Sequence, residues 1–386
     1  MLLRFASLGL VFFLTATPAL AHDPSAWGGL FRSRDNAATW MPVDAGLFIG
    51  GALAVSVSPT DANHLLYATD SRLLRSRNGG RDWSQEAADK LIGPTLAVAF
   101  DQVGKGAVAS SSAGVFFTDD GMRWQEASTP GGAVVARAIA AGAAPGRFYL
   151  AGSRGLMLSN DYGRTWTKVG DGLPDGTATA LLVLPGSPDI VLTVLAGELW
   201  LSRDAAAHWQ PGGAGLPHSH VETVARDSTT AARLWSAAAD QVYVSEDVGG
   251  SWRPVGTVLP GPGLSVRGIA ATQDGQVIAL TTHRGMLRSA DGGKTWGQVE
   301  GTLPVHLEAG PLTADPHDAG TLYAGFALSP YPEIWRRAAE GSNLLSQADP
   351  VSLAGGAALL MLLIIGGWLG ARKLSRLYHK DGESPL

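Results

Sequence analysis

An eight-residue motif recurs seven times along the chain and constrains its fold more than any other feature. The segment Ser289–Trp296 reads Ser-x-Asp-x-Gly-x-Thr-Trp, and Ser159–Trp166 repeats the pattern in full. Looser copies raise the number to seven, and successive closing tryptophans are 41 to 44 residues apart. These tryptophans are Trp40, Trp83, Trp124, Trp166, Trp209, Trp252 and Trp296. A fixed period of this length indicates a repeat architecture in which each repeat is one structural unit.

The chemistry of the motif predicts a tight hairpin turn followed by a buried indole. An Asp carboxylate accepts hydrogen bonds from nearby N–H groups, Gly tolerates a positive φ, and a Ser or Thr hydroxyl closes the same network. The Trp should bury about 200 Å², worth at most about 5 kcal/mol, against about 1 kcal/mol for one turn hydrogen bond. Packing should therefore dominate, and the Trp never changes whereas the acid becomes Asn once. The acidic positions are Asp35, Asn78, Asp120, Asp161, Asp204, Asp247 and Asp291.

The chain between two motifs reads as three short strands that precede the strand after the Trp. In the first full repeat these strands are 52–57, 65–68 and 73–76, separated by turn residues such as Pro59 and Asp61. Four strands in each repeat of this length are typical of a propeller blade. We therefore predict an all-β fold, a seven-bladed β-propeller of four-stranded blades with a motif hairpin in each.

The two ends of the repeat array predict how the ring closes. The first motif, at 30–40, has no pair of strands before it, and the last pair, 311–314 with 321–324, has no motif after it. An N-terminal hairpin that completes the last blade explains both observations and removes the free sheet edges. The segment Glu333–Arg337 is a competing candidate for the third strand of that blade.

The termini predict export and a membrane anchor. Residues 1–21 combine a basic residue, an apolar run and an Ala-Leu-Ala ending, as a secretory signal peptide does. Residues 351–371 are an uncharged apolar run long enough for a C-terminal transmembrane helix, and the basic tail 372–386 stays in the cytoplasm by the positive-inside rule. We predict a propeller over 22–337 and a stalk over 338–350. The protein would be a single-pass protein of the inner (cytoplasmic) membrane with its propeller in the periplasm or the extracellular space.

Composition excludes several classes of function. Without the signal peptide and the tail, the 29 basic and 34 acidic residues of the chain become 24 and 32, a net charge of −8. Such an acidic domain is not expected to bind nucleic acid. The absence of cysteine excludes disulfides, thiolate metal sites and cysteine nucleophiles. We predict no cofactor, and the Gly-x-x-x-Gly spacing of Gly366 and Gly370 leaves the oligomeric state open.

Seven motifs at a regular spacing resemble the Asp-box, or BNR-type, propellers over residues 30–323. That group includes sialidases, sortilin-type receptors, xyloglucanase-type glycosidases and the photosystem II stability and assembly factor family. Sialidases are similar but have six blades and sortilin-type propellers have ten, so the assembly-factor-like group is nearest in blade number. The resemblance implies a protein that binds an assembly intermediate of a membrane protein complex without catalysis. The C-terminal anchor departs from that group, so assembly of another membrane complex stays open.

A divergent, sialidase-like glycan hydrolase is the alternative function. A sialidase needs three arginines around a substrate carboxylate, a Tyr nucleophile with a Glu partner, and an acidic proton donor. The early Arg-Ile-Pro segment of that family is absent here, and a xyloglucanase-type glycosidase would need a second propeller. We therefore predict that the chain is not an enzyme. The carboxylates without an assigned role are Asp44, Glu86, Asp101, Glu198, Glu222 and Glu308.

A third hypothesis is a metal-handling protein. Cleavage after residue 21 would expose His22, whose amine and imidazole together form a chelating pair for copper. His218 and His220 would add nitrogen ligands. An ordinary terminus and a surface loop explain the same histidines without a metal, and we predict no metal site.

The spacing of the arginines predicts a basic face for a partner. In a propeller, the turns between second and third strands and the connections between blades lie on one face around the central channel. Three arginines fall in such turns, and two fall at matching positions of first strands. Together with a neighbouring histidine, the predicted binding residues are Arg72, Arg154, Arg284, Arg137, Arg267 and His283. Because charged residues are only 16% of the chain, these arginines suit an acidic peptide or loop. The alternative is that each arginine pairs with a neighbour such as Asp70 or Asp240.

Overall fold

The computed structural model describes residues 28–174, 176–301, 303–304 and 306–340. The predicted signal peptide, most of the predicted stalk, the predicted transmembrane helix and the tail lie outside these residues. No helix among the described residues is long and apolar enough to cross a membrane. The regular structure of this part of the chain is a series of short β-strands, interrupted by one short 3-10 helix (Gln273–Gly275) and followed by the helix α1 (Tyr331–Ala339).

The strands are short and pair with their neighbours in antiparallel fashion. In chain order they are β1 (Gly29–Ser33), β2 (Met41–Pro42), β3 (Ala52–Ser58), β4 (Asp61–Thr69), β5 (Leu73–Ser76), β6 (Ser84–Gln85), β7 (Thr95–Phe100), β8 (Ala107–Ser111), β9 (Gly114–Thr118), β10 (Gln125–Glu126), β11 (Ala136–Ala141), β12 (Phe148–Gly152), β13 (Gly155–Ser159), β14 (Thr167–Val169), β15 (Ala178–Leu184), β16 (Ile190–Leu195), β17 (Glu198–Ser202), β18 (Gln210–Pro211), β19 (Val221–Arg226), β20 (Leu234–Ala238), β21 (Gln241–Ser245), β22 (Arg253–Val255), β23 (Val266–Thr272), β24 (Val277–Thr282), β25 (Gly285–Ser289), β26 (Gly297–Gln298), β27 (Glu308–Ala314) and β28 (Leu322–Ala327).

These strands form seven four-stranded sheets, which confirms the predicted seven-bladed propeller. Blades 1 to 6 each take four consecutive strands, beginning with β3–β6 as blade 1 and ending with β23–β26 as blade 6. The first strands of successive blades contact one another, and β27 contacts β3, so the ring is closed. The fourth strands have only two or three residues and are largely exposed, as is usual for edge strands that must not pair with another chain.

Blade 7 confirms the predicted closure of the ring. Its strand order is β27, β28, β1 and β2, so the N-terminal hairpin supplies the third and fourth strands. β1 pairs with β28 over its full length, with Phe31 opposite Ala324 and Arg32 opposite Tyr323. The phenyl ring of Phe31 also packs edge-on against that of Phe326, at 5.3 Å between centroids.

The competing strand at Glu333–Arg337 is wrong, because these residues belong to α1. Buried side chains recur at Tyr331, Ile334 and Ala338, which is the spacing of one helical face. Glu333 forms ion pairs with Arg336 and Arg337 one turn later, and such pairs stabilise a helix. Helix α1 also includes Ala338 and Ala339, which the sequence places in the stalk.

A buried carboxylate joins the N-terminal hairpin to blade 1. Asp44 Oδ2 accepts a hydrogen bond from the Leu30 N–H at 2.9 Å and another from the Tyr67 hydroxyl at 2.9 Å. Leu30 lies in β1 of blade 7, whereas Tyr67 lies in β4 of blade 1. Burial raises the pKa of Asp44 to about 6, although both hydrogen bonds lower it. Asp44 therefore ties two adjacent blades together where the ring closes.

The motif turns are closed by a recurring set of hydrogen bonds. In the turn at 159–166, the Ser159 hydroxyl donates to Asp161 at 2.8 Å, and the Gly163 N–H donates to Ser159 at 2.9 Å. Asp161 also accepts the N–H and the hydroxyl of Thr165, at 2.9 and 2.6 Å. The same bonds recur in the turns at 33–40, 245–252 and 289–296. Each turn therefore satisfies its carboxylate within about seven residues of chain.

The closing tryptophans pack inward to different extents. Trp40, Trp124, Trp166 and Trp252 are buried, with 2 to 5% of their surface exposed. The indole N–H of Trp166 donates to the Gly163 carbonyl of its own turn at 2.9 Å. A second group is only half-buried and consists of Trp83, Trp209 and Trp296. Inward packing is thus complete in four blades and partial in three.

We expect packing to outweigh the turn hydrogen bonds in blade 3. Trp166→Ala should lower the free energy of unfolding by about 3–5 kcal/mol, since it removes a large buried side chain. Asp161→Ala should lower it by about 1–2 kcal/mol, since it removes only turn hydrogen bonds. Urea unfolding followed by circular dichroism measures both values. A larger loss for Asp161→Ala would contradict this expectation.

The two hydrogen bonds that Asp44 accepts from Leu30 and Tyr67, which we call the clasp, predict that the free energy of unfolding depends on pH. Its folded pKa of about 6 lies above the ordinary value of 3.8, so the folded state binds the proton more tightly than the unfolded state. The stabilisation of the folded state by the protonated Asp44 is fully present below pH 3.8 and is lost as the pH rises through about 6. Asp44→Asn keeps an oxygen acceptor without a charge.

The variant should therefore gain stability relative to the wild type by up to about 3 kcal/mol between pH 4 and pH 7. Urea unfolding of both proteins across that range gives the difference, in which the other titrating groups cancel. A difference that stays constant with pH would show that the carboxylate titrates normally.

Candidate functional site

The first strand of every blade carries a β-bulge near the same end. In blade 3 the pairing of β11 with β12 jumps from Ala136 to Ala138, and in blade 6 that of β23 with β24 jumps from Val266 to Gly268. A bulge leaves the extra residue out of the ladder and re-aims its side chain. The residues left out are Leu53, Leu96, Arg137, Thr179, Glu222 and Arg267, with Gly310 and Pro311 in blade 7. We call this ring of bulge residues the mouth.

Helix α1 packs on the mouth. Tyr331, Ile334 and Ala338 form one apolar cluster with Leu53 of blade 1 and Leu96 of blade 2. The polar face of the helix is exposed and internally paired through ion pairs of 2.6 to 2.7 Å. The chain's own helix therefore occupies part of the face that the sequence predicts for a partner.

Tyr331 fixes the start of α1 in the mouth. Its hydroxyl donates to the Ala52 carbonyl at 2.7 Å, and its N–H donates to Glu308 at 3.0 Å. Only 1% of its surface is exposed, and burial raises its pKa. A Cβ on Gly310 would overlap the phenol ring, so the close approach requires glycine at that position.

Two of the predicted binding arginines contact α1. Arg267 forms an ion pair with Glu308 and lies 5.1 Å from the ring centroid of Tyr331. Arg137 lies 4.9 Å from the ring centroid of Trp335, and burial lowers its pKa. Both guanidinium groups therefore make cation–π contacts with the helix.

The other three arginines lie where the sequence places them, in turns between second and third strands. Arg72, Arg154 and Arg284 occupy the β4–β5, β12–β13 and β24–β25 turns, which share one edge of the ring. Among the described residues, no carboxylate lies within ion-pair distance of these three side chains. The predicted alternative of pairing with Asp70 or Asp240 is therefore not seen at contact distance.

Each turn arginine nevertheless has a distinct environment. Arg72 Nε is buried and makes no hydrogen bond in the described part of the chain, and its charge opposes the effect of burial, which raises the pKa of Asp70. Arg154 is exposed and donates through one terminal nitrogen to the carbonyls of Pro130 and Gly131. Arg284 is exposed as well.

His283 and Glu222 are held by backbone N–H groups at the mouth. His283 Nδ1 accepts the Ser265 N–H at 3.0 Å, so this nitrogen carries no proton. Glu222 accepts the N–H of Val266, and burial raises its pKa to about 7. These contacts account for both side chains as parts of the connection into blade 6.

Glu222 and Glu308 are two of the carboxylates to which the sequence assigns no role. The fold brings both of them near Arg267. Burial raises the pKa of Glu222. At Glu308 the hydrogen bonds from Arg267 and Tyr331 outweigh the effect of burial, so the pKa of Glu308 is lowered. Carboxylates with opposite shifts are what acid–base hydrolysis uses. Here Glu308 already binds Arg267 and the N–H of Tyr331 under α1, whereas Glu222 binds the N–H of Val266.

The remaining unassigned carboxylates are dispersed over the propeller. Asp44 forms the clasp to β1, and Glu86 binds the buried Arg75 at 2.8 Å. Asp101 is buried in the β7–β8 turn, where it accepts the Lys105 N–H at 2.9 Å. Glu198 is exposed at the start of β17.

The histidines do not build a metal centre in the described structure. His218 and His220 lie in the exposed connection before β19, and the His220 ring contacts the Ser219 hydroxyl at 2.7 Å. Within the described ranges, no group of three or more His, Asp or Glu side chains is placed to hold a metal ion. His22, the centre of the metal hypothesis, lies outside these ranges.

Sequence reasoning missed α1 and the bulges. The signals for the helix are Pro332 in its first turn and the spacing of Tyr331, Ile334 and Ala338. No comparable signal marks the bulges, because a bulge depends on the pairing of two strands and not on the composition of one.

Comparison with known proteins defines the fold. No family model matches this chain, and no curated protein matches it. Among solved structures, YCF48 bound to D1 peptide matches with a TM-score of 0.54 and 16% identity over 79% of this chain and 96% of that one. YCF48 from Cyanidioschyzon merolae matches with a TM-score of 0.53 and 14% identity over 72% and 96%.

A third structure shows that this likeness extends beyond YCF48. The extracellular domain of the hybrid two-component system BT4673 from B. thetaiotaomicron matches with a TM-score of 0.56 and 13% identity. The match covers 73% of this chain and 38% of that one. The TM-scores establish a shared propeller fold. Because the identities are this low, the function must be argued from the site.

The contact between Gly310 and Tyr331 predicts that a single added methyl group, in Gly310→Ala, displaces α1 from the mouth. Gly310→Ala should force the phenol ring out of the mouth, so amide hydrogen exchange over 331–339 should rise by about tenfold or more while blades 2 to 5 keep their protection. Hydrogen exchange with mass spectrometry on the full chain measures this. In a Tyr331→Ala background, adding Gly310→Ala should cost less than about 0.5 kcal/mol, since the clashing ring is gone. Unchanged exchange in Gly310→Ala would contradict the assignment.

Proposed function

We propose that this chain is a membrane-anchored, extracytoplasmic propeller that binds a segment of a membrane protein and serves as an assembly or stability factor for its complex. The propeller carries the binding face, and the predicted helix at 351–371 holds it at the bilayer. Its place is the inner membrane, with the propeller in the periplasm or the extracellular space.

The observation that carries this proposal is the set of turn arginines without carboxylate partners. Arg72, Arg154 and Arg284 share one edge of the ring, and no carboxylate among the described residues pairs with any of them. Guanidinium groups bind carboxylates through two parallel hydrogen bonds, so unpaired arginines on one face favour an acidic peptide or loop.

The fold is consistent with peptide binding. One solved propeller of similar fold, YCF48, is bound to a D1 peptide. The sequence motifs independently resemble the photosystem II stability and assembly factor family. Large apolar side chains are also exposed in connections on the same edge, at Phe48, Ile92 and Val258, which adds apolar contact area for a bound segment.

The test is capture of a membrane complex by the full chain from the native membrane, with quantitative mass spectrometry. The triple variant Arg72→Gln, Arg154→Gln and Arg284→Gln should retain less than about a tenth of the captured complex, since each lost charged contact costs about 1.5–3 kcal/mol.

The matched control removes three cations from the motif turns on the opposite edge, with Arg34→Gln, Arg81→Gln and Lys294→Gln. These exposed side chains lose the same charge. The control should capture as much complex as the wild type. Equal capture by the two triple variants would remove the basic face from the proposal, and capture of no membrane complex by the wild type would contradict the assembly role.

A further inference from the structure

A cleft between blades 3 and 4 opens on the same edge as the turn arginines. It has a volume of about 480 Å³, which is within the range of ligand-binding clefts. The β12–β13 turn, the β14 strand, Gly170 and residues 173–174 and 176–177 form its walls. Its lining includes Arg154, Lys168, Leu156, Leu173 and Leu195.

The cleft presents two cations that the described protein leaves available. Arg154 uses one terminal nitrogen to bind the carbonyls of Pro130 and Gly131, and its Nε and second terminal nitrogen make no hydrogen bond to a described residue. Lys168 is exposed and has neither an ion pair nor a side-chain hydrogen bond within the described part of the chain. The described residues that line the cleft include no carboxylate.

The floor of the cleft is apolar. Leu156 and Leu195 are buried, with 4% and 2% of their surface exposed, and Leu173 is half-buried beside them. These leucines belong to one cluster that also contains Trp200. An aliphatic group that enters the cleft would therefore contact a packed apolar surface, while the cations stand at its rim.

The repeat itself shows that blade 3 is special. Lys168 occupies the second position after the closing Trp, and the equivalent residues of the other blades carry no positive charge: Pro42, Gln85, Glu126, Pro211, Pro254 and Gln298. Lys168 lies over Gly155, where an added Cβ would be 3.9 Å from its Cε. In blade 6, Gln298 lies over Gly285 in the same way, at 3.8 Å. Blade 6 thus has the turn arginine without the lysine and provides an internal control.

We propose that this cleft is the anchor point for the bound peptide segment, and that it takes a carboxylate next to an aliphatic side chain. Arg154 and Lys168 bind the carboxylate, and the leucine floor takes the side chain. The inference rests on the proposed function, because it names the subsite of that same face. The carboxylate comes either from a chain terminus or from an Asp or Glu side chain, and the two sources differ in a peptide assay.

The test titrates the purified full-length chain with three N-acetylated peptides by isothermal titration calorimetry. The first has the sequence Gly-Ser-Ala-Ala-Leu with a free terminal carboxylate, and the second is its C-terminal amide. The third is the amide of Gly-Ser-Ala-Glu-Leu. We expect the free acid, the Glu peptide or both to bind at least about tenfold more tightly than the neutral amide, since charged hydrogen bonds are the strong ones.

Lys168→Gln gives blade 3 the chemistry of blade 6 and should weaken the carboxylate-bearing peptide about tenfold. The control Lys294→Gln removes the same charge from a motif turn on the opposite edge and should leave its affinity within about twofold. Both side chains are exposed, so the variants should unfold as the wild type does. The inference is overturned if neither the free acid nor the Glu peptide binds more tightly than the neutral amide, or if Lys168→Gln leaves the binding of the carboxylate-bearing peptide unchanged.

The result is separable from the test of the proposed function. If complex capture depends on the three turn arginines while peptides show no preference for a carboxylate, only the cleft assignment fails. If peptides bind in a Lys168-dependent manner while no membrane complex is captured, the assembly role fails and the cleft assignment stands.

Discussion

Closure of the ring by β1 is the constraint on which the rest of the structure depends. Strand β1 pairs with β28 along its length, and Asp44 then links Leu30 to Tyr67 of the next blade. Because the first and last repeats share one blade, β27 comes to lie beside β3. Only in that closed ring do the bulges of blades 7, 1 and 2 meet. Leu53 and Leu96 then form a continuous apolar surface against which α1 packs.

The docking of α1 changes which cations are available to a partner. Arg137 and Arg267 project from bulges at the mouth, as a binding ring would require, yet both contact aromatic residues of α1. Arg267 is also neutralised by Glu308. The helix contacts bulge residues of blades 1, 2, 3, 6 and 7, and the mouth residues of blades 4 and 5, Thr179 and Glu222, lie beyond those contacts. On the proposed function, a partner would therefore bind at the turns and clefts of this face and not at its centre.

The sequence predicts those features that repeat and misses those that arise from contact between distant segments. The tryptophan spacing predicts seven blades, and the same register correctly places Arg72, Arg154 and Arg284 in equivalent turns. The nine residues of α1 are too few to form a stable helix alone, so their helicity comes from docking on the propeller. The hydrophobic spacing of so short a segment is a weak signal for a helix. The partner of Arg267 is Glu308, on the first strand of the next blade, and no local pattern links the two.

The acidic net charge is compatible with unpaired arginines at one edge, because the motif carboxylates lie at the opposite edge together with cations such as Arg34, Arg81 and Lys294. The carboxylates of the motif turns lie at one edge, where hydroxyl and N–H groups hold them as anions. For example, the hydroxyl and N–H of Thr295 lower the pKa of Asp291 to about 2. Arg72, Arg154 and Arg284 lie at the other edge.

The distance between the two edges decides how these charges act on a partner. Second strands of five to nine residues span about 17–30 Å, and charges farther apart than about 8 Å are largely screened at physiological ionic strength. The motif carboxylates therefore do little to neutralise the arginines, and the arginines do little to attract an acidic segment from afar. On the proposed function, capture of an acidic segment would then depend on direct contact, so the cleft between blades 3 and 4 with its apolar floor matters more than the sum of the charges.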